Sequence, residues 1–310
     1  MHGLAKRAFD ALPGGLRSTL YVLIKTPARA GSLRPDTQRW VSSYFHAMKT
    51  IRLATTLRRR VPRTPGVIPP DKGYAVAHLS NHPAVAAAVA HARTEMGAID
   101  MGAFKERAKK PFLLQVHIPM DAEHRALFDL ACDPVILDPV SQYLGMIPVL
   151  HSIQLWYSPN ENFEAGRSQE FHRDGEDFRQ VKVFVHLNDI DESTGPFTII
   201  DASRSRTLAR GLPGPITQKH PDARIGVKGV PLTGGAGTVA FADTAQCYHF
   251  GSRPSPGAKP RMILQLHYAT PFSTKLPLWG WPKERNTRDM VLGMYDRIDM
   301  QRVYTQRVYT

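Results

Sequence analysis

The sequence predicts a β-rich α+β fold, with a jelly-roll or barrel core that is preceded by helices. From about residue 150 onward, several short strand-like segments are separated by turns rich in Gly, Pro and Asp. The clearest of them, residues 181–187, alternates in the two-residue period of a strand. The chain has 310 residues, 42% hydrophobic and 22% charged, which is an ordinary globular composition. A β-rich domain often exceeds about 200 residues, so the length does not require a second domain.

Helical patterns precede the strand-rich region. Tyr44, Met48 and Ile51 recur at helical spacing, and a run of arginines and prolines from residue 58 then indicates a linker. Asn81 and Pro83 are typical of a helix start. The predicted helices cover residues 84–92, residues 122–130, and a short segment that ends at Leu144 before Gly145.

The predicted strands divide the chain into four parts. They cover residues 153–157, 181–187, 197–200, 237–241 and 261–268. We therefore expect a basic, largely helical N-terminal extension (1–63), a helical lead-in that packs on the barrel (64–149), a strand-rich core (150–272), and a partly helical C-terminal tail (273–310).

The charge is strongly basic and unevenly distributed. The net charge is +13, and residues 1–63 contain 13 Lys and Arg against Asp10 and Asp36. Such asymmetry indicates an anionic partner, which could be a membrane surface, a nucleic acid or an anionic substrate. A solvated basic face accounts for the same charge. The segment lacks the motif context of a nucleic-acid reader, whereas a basic helix suits peripheral contact with an anionic membrane.

Cysteine usage and hydropathy favour a cytoplasmic protein, with peripheral contact on the inner face of a membrane as an option. Cys132 and Cys247 lie far apart and in no metal-binding or redox spacing, which is consistent with a reducing compartment. The apolar run from Leu20 to Ile24 is much shorter than the roughly 20 residues of a membrane span. It is also shorter than a signal-peptide core of about 7–15 residues.

The motif with the clearest chemistry is His172-Arg173-Asp174. In extended backbone, residues two apart project to the same side, so His172 and Asp174 could bind one ion. His249, which follows a predicted strand, would complete a facial triad, the arrangement that leaves positions open on non-heme Fe(II). Arg261, twelve positions later, begins the last predicted strand, and its guanidinium can bind a carboxylate through two parallel hydrogen bonds.

Other interpretations of these residues stay open. His172 and Asp174 could be an ordinary surface pair, and the fold could be a non-catalytic jelly-roll protein that binds a metal or ligand. Arg173 and Lys182 either meet an anionic substrate or face solvent. Two further histidines and one thiol fit the core better than a site, namely His186, His267 and Cys247.

Residues 169–203 resemble the phytanoyl-CoA dioxygenase family of Fe(II)- and 2-oxoglutarate-dependent oxygenases. The shared features are the H-x-D motif, the apolar strand that ends in Leu187-Asn188-Asp189, and the turn at 192–196. Residues 237–261 resemble the distal half of the same family. The resemblance covers residues 120–272, about half of the chain, and implies a double-stranded β-helix (jelly-roll/cupin-like) core.

The resemblance also implies cofactors and site residues. They are Fe(II), 2-oxoglutarate and O2, with His172, Asp174 and His249 as metal ligands and Arg261 as the anchor of the oxoacid. Family members often have a serine two residues after the distal histidine, where this chain has Gly251, so Ser252 is the candidate hydroxyl. The retained Asp174 favours hydroxylation over halogenation. Further candidates are Gln154 beside the oxoacid, Arg253 as a rival of Arg261, and Arg173 and Trp156 as contacts to a small-molecule or lipid-like substrate.

Overall fold

The computed structural model describes eight stretches of the chain. They are residues 66–100, 102, 113–119, 121–159, 167–212, 217–251, 253–270 and 273, with the gaps between them left aside. The predicted N-terminal extension (1–63), residues 274–310 of the predicted tail, and Ser252 lie outside the described residues.

Two antiparallel sheets form the core, which confirms the predicted jelly roll. In the larger sheet the strands run in the order β1-β7-β4-β9-β3-β2, and in the smaller one β6-β5-β8. The strands are β1 (Tyr74–His78), β2 (Leu114–His117), β3 (Val149–Ser158), β4 (Gln180–His186), β5 (Thr198–Ile199), β6 (Val230–Pro231), β7 (Thr238–Ala242), β8 (His249–Phe250) and β9 (Arg261–Ala269).

Helices come before β3 in the chain, and others lie between β5 and β6, two strands of the smaller sheet. They are α1 (Pro83–Ala98), α2 (Arg125–Cys132), α3 (Pro134–Leu144), α4 (Ala202–Gly211) and α5 (Asp222–Ile225), with 3-10 turns at Arg167–Gln169 and Glu192–Thr194. The Asp133 side chain caps α3 by accepting a hydrogen bond from the Val135 amide at 2.8 Å. Gly145 ends α3 with a φ of 70°, a conformation that favours glycine. None of the helices within the described stretches is long and apolar enough to cross a bilayer.

Four strands were not predicted from the sequence, and two of them, β6 and β8, have only two residues each. The lead-in contributes β1 and β2 to opposite edges of the larger sheet, in addition to its helices. β1 has the sequence YAVAH, whose two alanines have low strand propensity, and β2 has only four residues. Pro139 lies inside α3.

The larger sheet has two chemically different faces. On β4, Val181, Val183 and Val185 are fully buried in the core formed with α1, α2 and α3. Side chains of the intervening positions, such as Phe184, point to the other face and pack toward the smaller sheet. The two-residue alternation of β4 therefore separates an apolar core under the helices from the space between the sheets.

His186, the last residue of β4, is buried as predicted for a core histidine. Only 2% of it is exposed, and its Nδ1 lies 3.3 Å from the carbonyl oxygen of Gly234. Burial lowers the pKa of His186 to about 4. The neutral imidazole is therefore the form that the fold stabilises.

This burial predicts a pH dependence of stability. Because the pKa of His186 is lower in the folded state, the unfolded chain binds more protons from about pH 6.5 down to about pH 4. The free energy of unfolding should fall across that interval as pH decreases. The variant His186→Gln should show a slope shallower by up to about 1.4 kcal/mol per pH unit in urea denaturation. The exposed His117→Gln control should retain the wild-type slope, and equal slopes in all three proteins would contradict the prediction.

Candidate metal centre

A short backbone bridge brings the two candidate histidines together. The His172 amide donates to the carbonyl oxygen of His249 at 3.1 Å, and the His249 amide donates back to that of His172 at 2.9 Å. The Asp174 amide donates to the carbonyl oxygen of Thr244 at 2.9 Å. The segment that contains the H-x-D motif is thus bound along β8 and the turn before it, although His172 and His249 are 77 positions apart.

The three predicted ligands present their donor atoms to a common point. His172 Nε2 lies 3.8 Å from Asp174 Oδ1, and His249 Nε2 lies 3.6 Å from Asp174 Oδ2. All three donors lie within 4.8 Å of one another. Two bonds of about 2.1 Å to one ion allow donors at most about 4.2 Å apart. Each imidazole lies within this limit of one oxygen of the Asp174 carboxylate, so the three side chains can converge on a divalent ion.

Backbone carbonyls fix which nitrogen each imidazole offers. Nδ1 of His172 lies 2.8 Å from the carbonyl oxygen of Glu170, and Nδ1 of His249 lies 3.0 Å from that of Cys247. With Nδ1 as the donor in each ring, Nε2 carries the lone pair that a metal requires. Burial lowers the pKa of His249 to about 3 and also lowers that of His172. Both rings are therefore neutral, which is the ligand form.

Lys182 forms a buried ion pair with Asp174, so the solvent-facing alternative of its two open interpretations is wrong. Its Nζ lies 2.6 Å from Asp174 Oδ2, because position 182 is on the inward face of β4. Burial alone would raise the pKa of Asp174, but the positive charge of the Lys182 ammonium holds it well below its usual range. Asp174 is therefore ionised, and its Oδ1 faces His172.

The candidate ligands open into a cavity of about 300 Å³ between the two sheets. His151 is one of the residues that line this cavity. It is an extra residue in β3, because the pairing of β3 with β9 shifts register between Leu150 and Ser152. The cavity is lined by Leu113, Gln115, His151, Ser152, Gln154, Trp156, Ser168, His172, Asp174, Glu176, Lys182, Phe184, Phe197, Thr244, His249, Gly251, Arg261, Ile263, Gln265 and His267.

Arg261 lines this cavity, whereas its rival Arg253 does not. Arg261 is 2% exposed, and its Nη2 donates to Ser158 Oγ at 2.9 Å. Burial lowers the pKa of Arg261 to about 10, so the guanidinium is still charged at neutral pH. A Cβ at Gly251 would lie 3.2 Å from Arg261 Nη1, so the glycine keeps space beside this group. Arg253 instead pairs with Asp222 at 2.8 Å.

The remaining predicted contacts divide into two groups. Gln154 and Trp156 line the cavity and are hydrogen-bonded to each other, with Trp156 Nε1 donating to Gln154 Oε1 at 2.7 Å. Arg173 lies elsewhere, with its guanidinium carbon 5.1 Å from the centre of the Tyr248 ring.

A polar network on the cavity wall was not predicted. His267, interpreted as a core or rim residue, is 4% exposed and its Nε2 lies 3.0 Å from Gln180 Oε1. Gln180 Nε2 donates to Thr244 Oγ1 at 2.9 Å. The two-residue alternation of β9 could have placed His267 in the cavity, because positions 263, 265 and 267 lie on the same face of the strand as Arg261.

Comparisons with known proteins add likenesses at low identity. No family model and no curated protein matches the sequence. Among solved structures, the chain is similar to the epimerase SnoN in complex with Fe3+, alpha ketoglutarate and nogalamycin RO, with 19% identity, a TM-score of 0.47, and coverage of 72% of this chain and 84% of that one. It is also similar to EctD from S. alaskensis with 2-oxoglutarate and 5-hydroxyectoine, with 20% identity, a TM-score of 0.44, and coverage of 68% and 83%. A third is HygX from Streptomyces hygroscopicus with nickel and 2-oxoglutarate, with 16% identity, a TM-score of 0.44, and coverage of 65% and 84%. Likenesses at this level do not assign a function.

Proposed function

We propose that the chain is an Fe(II)- and 2-oxoglutarate-dependent oxygenase that hydroxylates a C–H bond. The observation that carries the proposal is the convergence of the His172, Asp174 and His249 donors in a cavity that also contains the Arg261 guanidinium. When bound, the iron would supply the oxidative chemistry, in which 2-oxoglutarate and O2 are consumed and succinate and CO2 are released.

Each residue has a defined task in this proposal. Three protein donors on one side of an ion leave its other positions facing the cavity, where a bidentate oxoacid fits. The Arg261 guanidinium would bind the distal carboxylate of the oxoacid. Lys182 would hold Asp174 Oδ2, so that Oδ1 is presented to the ion.

A series of aromatic side chains in the cavity lining indicates where the substrate would bind. Trp156, Phe184 and Phe197 form an aromatic series, with ring centres 5.9 Å apart for the first pair and 4.5 Å for the second. Phe197 also stacks on His249, with ring centres 5.1 Å apart. A cavity of this size is at the lower end for ligand sites. We therefore propose a small molecule, or the reacting end of a longer lipid-like one, as the substrate.

One contact favours a non-catalytic metal- or ligand-binding protein as the alternative. The Lys182 ammonium pairs directly with Asp174, as it would in a purely structural core. Turnover of the oxoacid separates the two functions.

Succinate formation tests the proposed function. The full-length chain with Fe(II), O2 and 2-oxoglutarate should form succinate, even without the substrate. Removal of a carboxylate ligand should reduce this rate by more than the roughly 10- to 100-fold typical of changes around a metal site, so Asp174→Ala is the test variant. Asp129→Ala, which changes an exposed carboxylate on α2, is the matched control. Absence of succinate in the wild type would favour the alternative, and unchanged iron and oxoacid binding in Asp174→Ala would contradict the ligand assignment.

The two arginines offer a matched test of the oxoacid anchor. Arg261→Gln should weaken 2-oxoglutarate binding about 10- to 100-fold, because a hydrogen bond to a charged group contributes about 1.5–3 kcal/mol. Arg253→Gln removes the same charge outside the cavity and should leave the affinity nearly unchanged. Titration calorimetry with a divalent metal present measures both. A larger effect at Arg253 than at Arg261 would reverse the assignment.

We also propose that residues 1–63 contact an anionic surface, on the strength of their charge alone. The full chain should co-sediment with vesicles that contain phosphatidylserine, and binding should weaken as ionic strength rises, because the attraction is electrostatic. Deletion of residues 1–63 should abolish binding, and uncharged vesicles are the control. Equal binding by the deleted chain, or preferential binding of DNA by the full chain, would refute the proposal.

A further inference from the structure

A second cluster of metal-ligand residues lies between α1 and the start of α2. His91 and Glu95 are four positions apart on α1, so their side chains share one face of the helix. His124, immediately before α2, extends toward the same face. The cluster belongs to the helical layer and includes none of the residues that line the cavity.

The donor atoms of this cluster are spaced like those of the first. Glu95 Oε1 lies 3.8 Å from His91 Nε2, and Glu95 Oε2 lies 3.6 Å from His124 Nε2. All three donors lie within 4.8 Å of one another. Both of the closer separations are below the limit of about 4.2 Å that two bonds of about 2.1 Å impose.

The surroundings of His124 match those of a metal-bound histidine. Its Nδ1 lies 2.7 Å from Asp121 Oδ1, and its backbone amide donates to the same oxygen at 3.1 Å. A carboxylate on one imidazole nitrogen fixes the tautomer and directs the lone pair of the other nitrogen outward, as in carboxylate–histidine–metal sites. His124 Nε2 is therefore directed at Glu95 as a ligand atom.

His91 gives a second, independent indication of a metal site. Its Nε2 atom is buried and has no hydrogen-bond partner, which is uncommon for a buried imidazole nitrogen. A metal bond would satisfy this nitrogen. The side chains of His91, Glu95 and His124 are 23%, 29% and 10% exposed, so an ion could reach them from solvent.

We propose that His91, Glu95 and His124 bind a divalent transition-metal ion, of which Zn²⁺ suits two imidazoles and a carboxylate best. The ion would join α1 to the start of α2, two elements that pack together on the outer face of the larger sheet. This site is independent of the oxygenase proposal. If no ion binds, the same residues form only a helix–helix ion pair.

Cobalt titration of the full-length chain tests the site. In the Asp174→Ala background, which weakens the barrel site, Co²⁺ should bind with the strong visible absorption that four-coordinate cobalt shows and six-coordinate cobalt does not. Adding His91→Ala or Glu95→Gln should weaken this binding by at least about 10-fold and remove one ion per chain. Glu123→Gln, an exposed carboxylate beside His124, is the matched control and should bind as the background does.

Thermal unfolding separates a metal site from an ion pair. Zn²⁺ should raise the Tm of the Asp174→Ala protein, because an ion that binds only the folded state stabilises it. Zn²⁺ should not raise the Tm of the Asp174→Ala/Glu95→Gln protein. A cobalt stoichiometry unaffected by Glu95→Gln and His91→Ala would overturn the proposal, as would a Glu95→Gln loss of Tm that is the same in EDTA and in Zn²⁺.

Discussion

The reciprocal backbone bridge between His172 and His249 is the contact on which the candidate centre depends. Residues directly opposite each other in an antiparallel pair have side chains on the same face, with Cβ atoms about 5 Å apart. The two imidazoles are therefore adjacent, with ring centres 4.5 Å apart. A register slip of one residue would turn an imidazole to the opposite face. Amide and carbonyl groups thus set the relative position of the two candidate ligands.

The larger sheet places this bridge beside a polar cavity without exposing the core. On β9, Leu264 and Leu266 face the helices and are fully buried, whereas Arg261 and Gln265 face the smaller sheet. A guanidinium on the helix-facing side would be buried among apolar side chains, where an unpaired charge is strongly unfavourable. The helical layer therefore does more than cover the sheet, because it allows one face to be wholly apolar and leaves the other free for charge.

The sequence predicted the parts of this structure that depend on local pattern. Two-residue alternation located β4 and β9, and the H-x-D spacing together with a distal histidine identified the three candidate ligands. β1 was missed because its alanines weaken the strand signal and its pairing with β7 is remote in sequence. The position of Lys182 was left open for a related reason. Alternation says which residues share a face, but which face is buried depends on how the sheets pack.

The charged side chains that line the cavity compensate one another. Asp174 and Glu176 are balanced by Lys182 and Arg261, so the lining is close to neutral in sum. A buried charge is unfavourable unless it is compensated. In the proposed function, Fe(II) alone would add two positive charges and 2-oxoglutarate alone two negative ones, whereas the two together would leave the balance unchanged. Each should therefore bind more tightly when the other is present, and this coupling must be reciprocal. The ion pair between Lys182 and Asp174 is then compatible with an occupied site. Lys182 offsets the negative charge of Asp174, and the two negative charges of the oxoacid would offset the two positive charges of Fe(II).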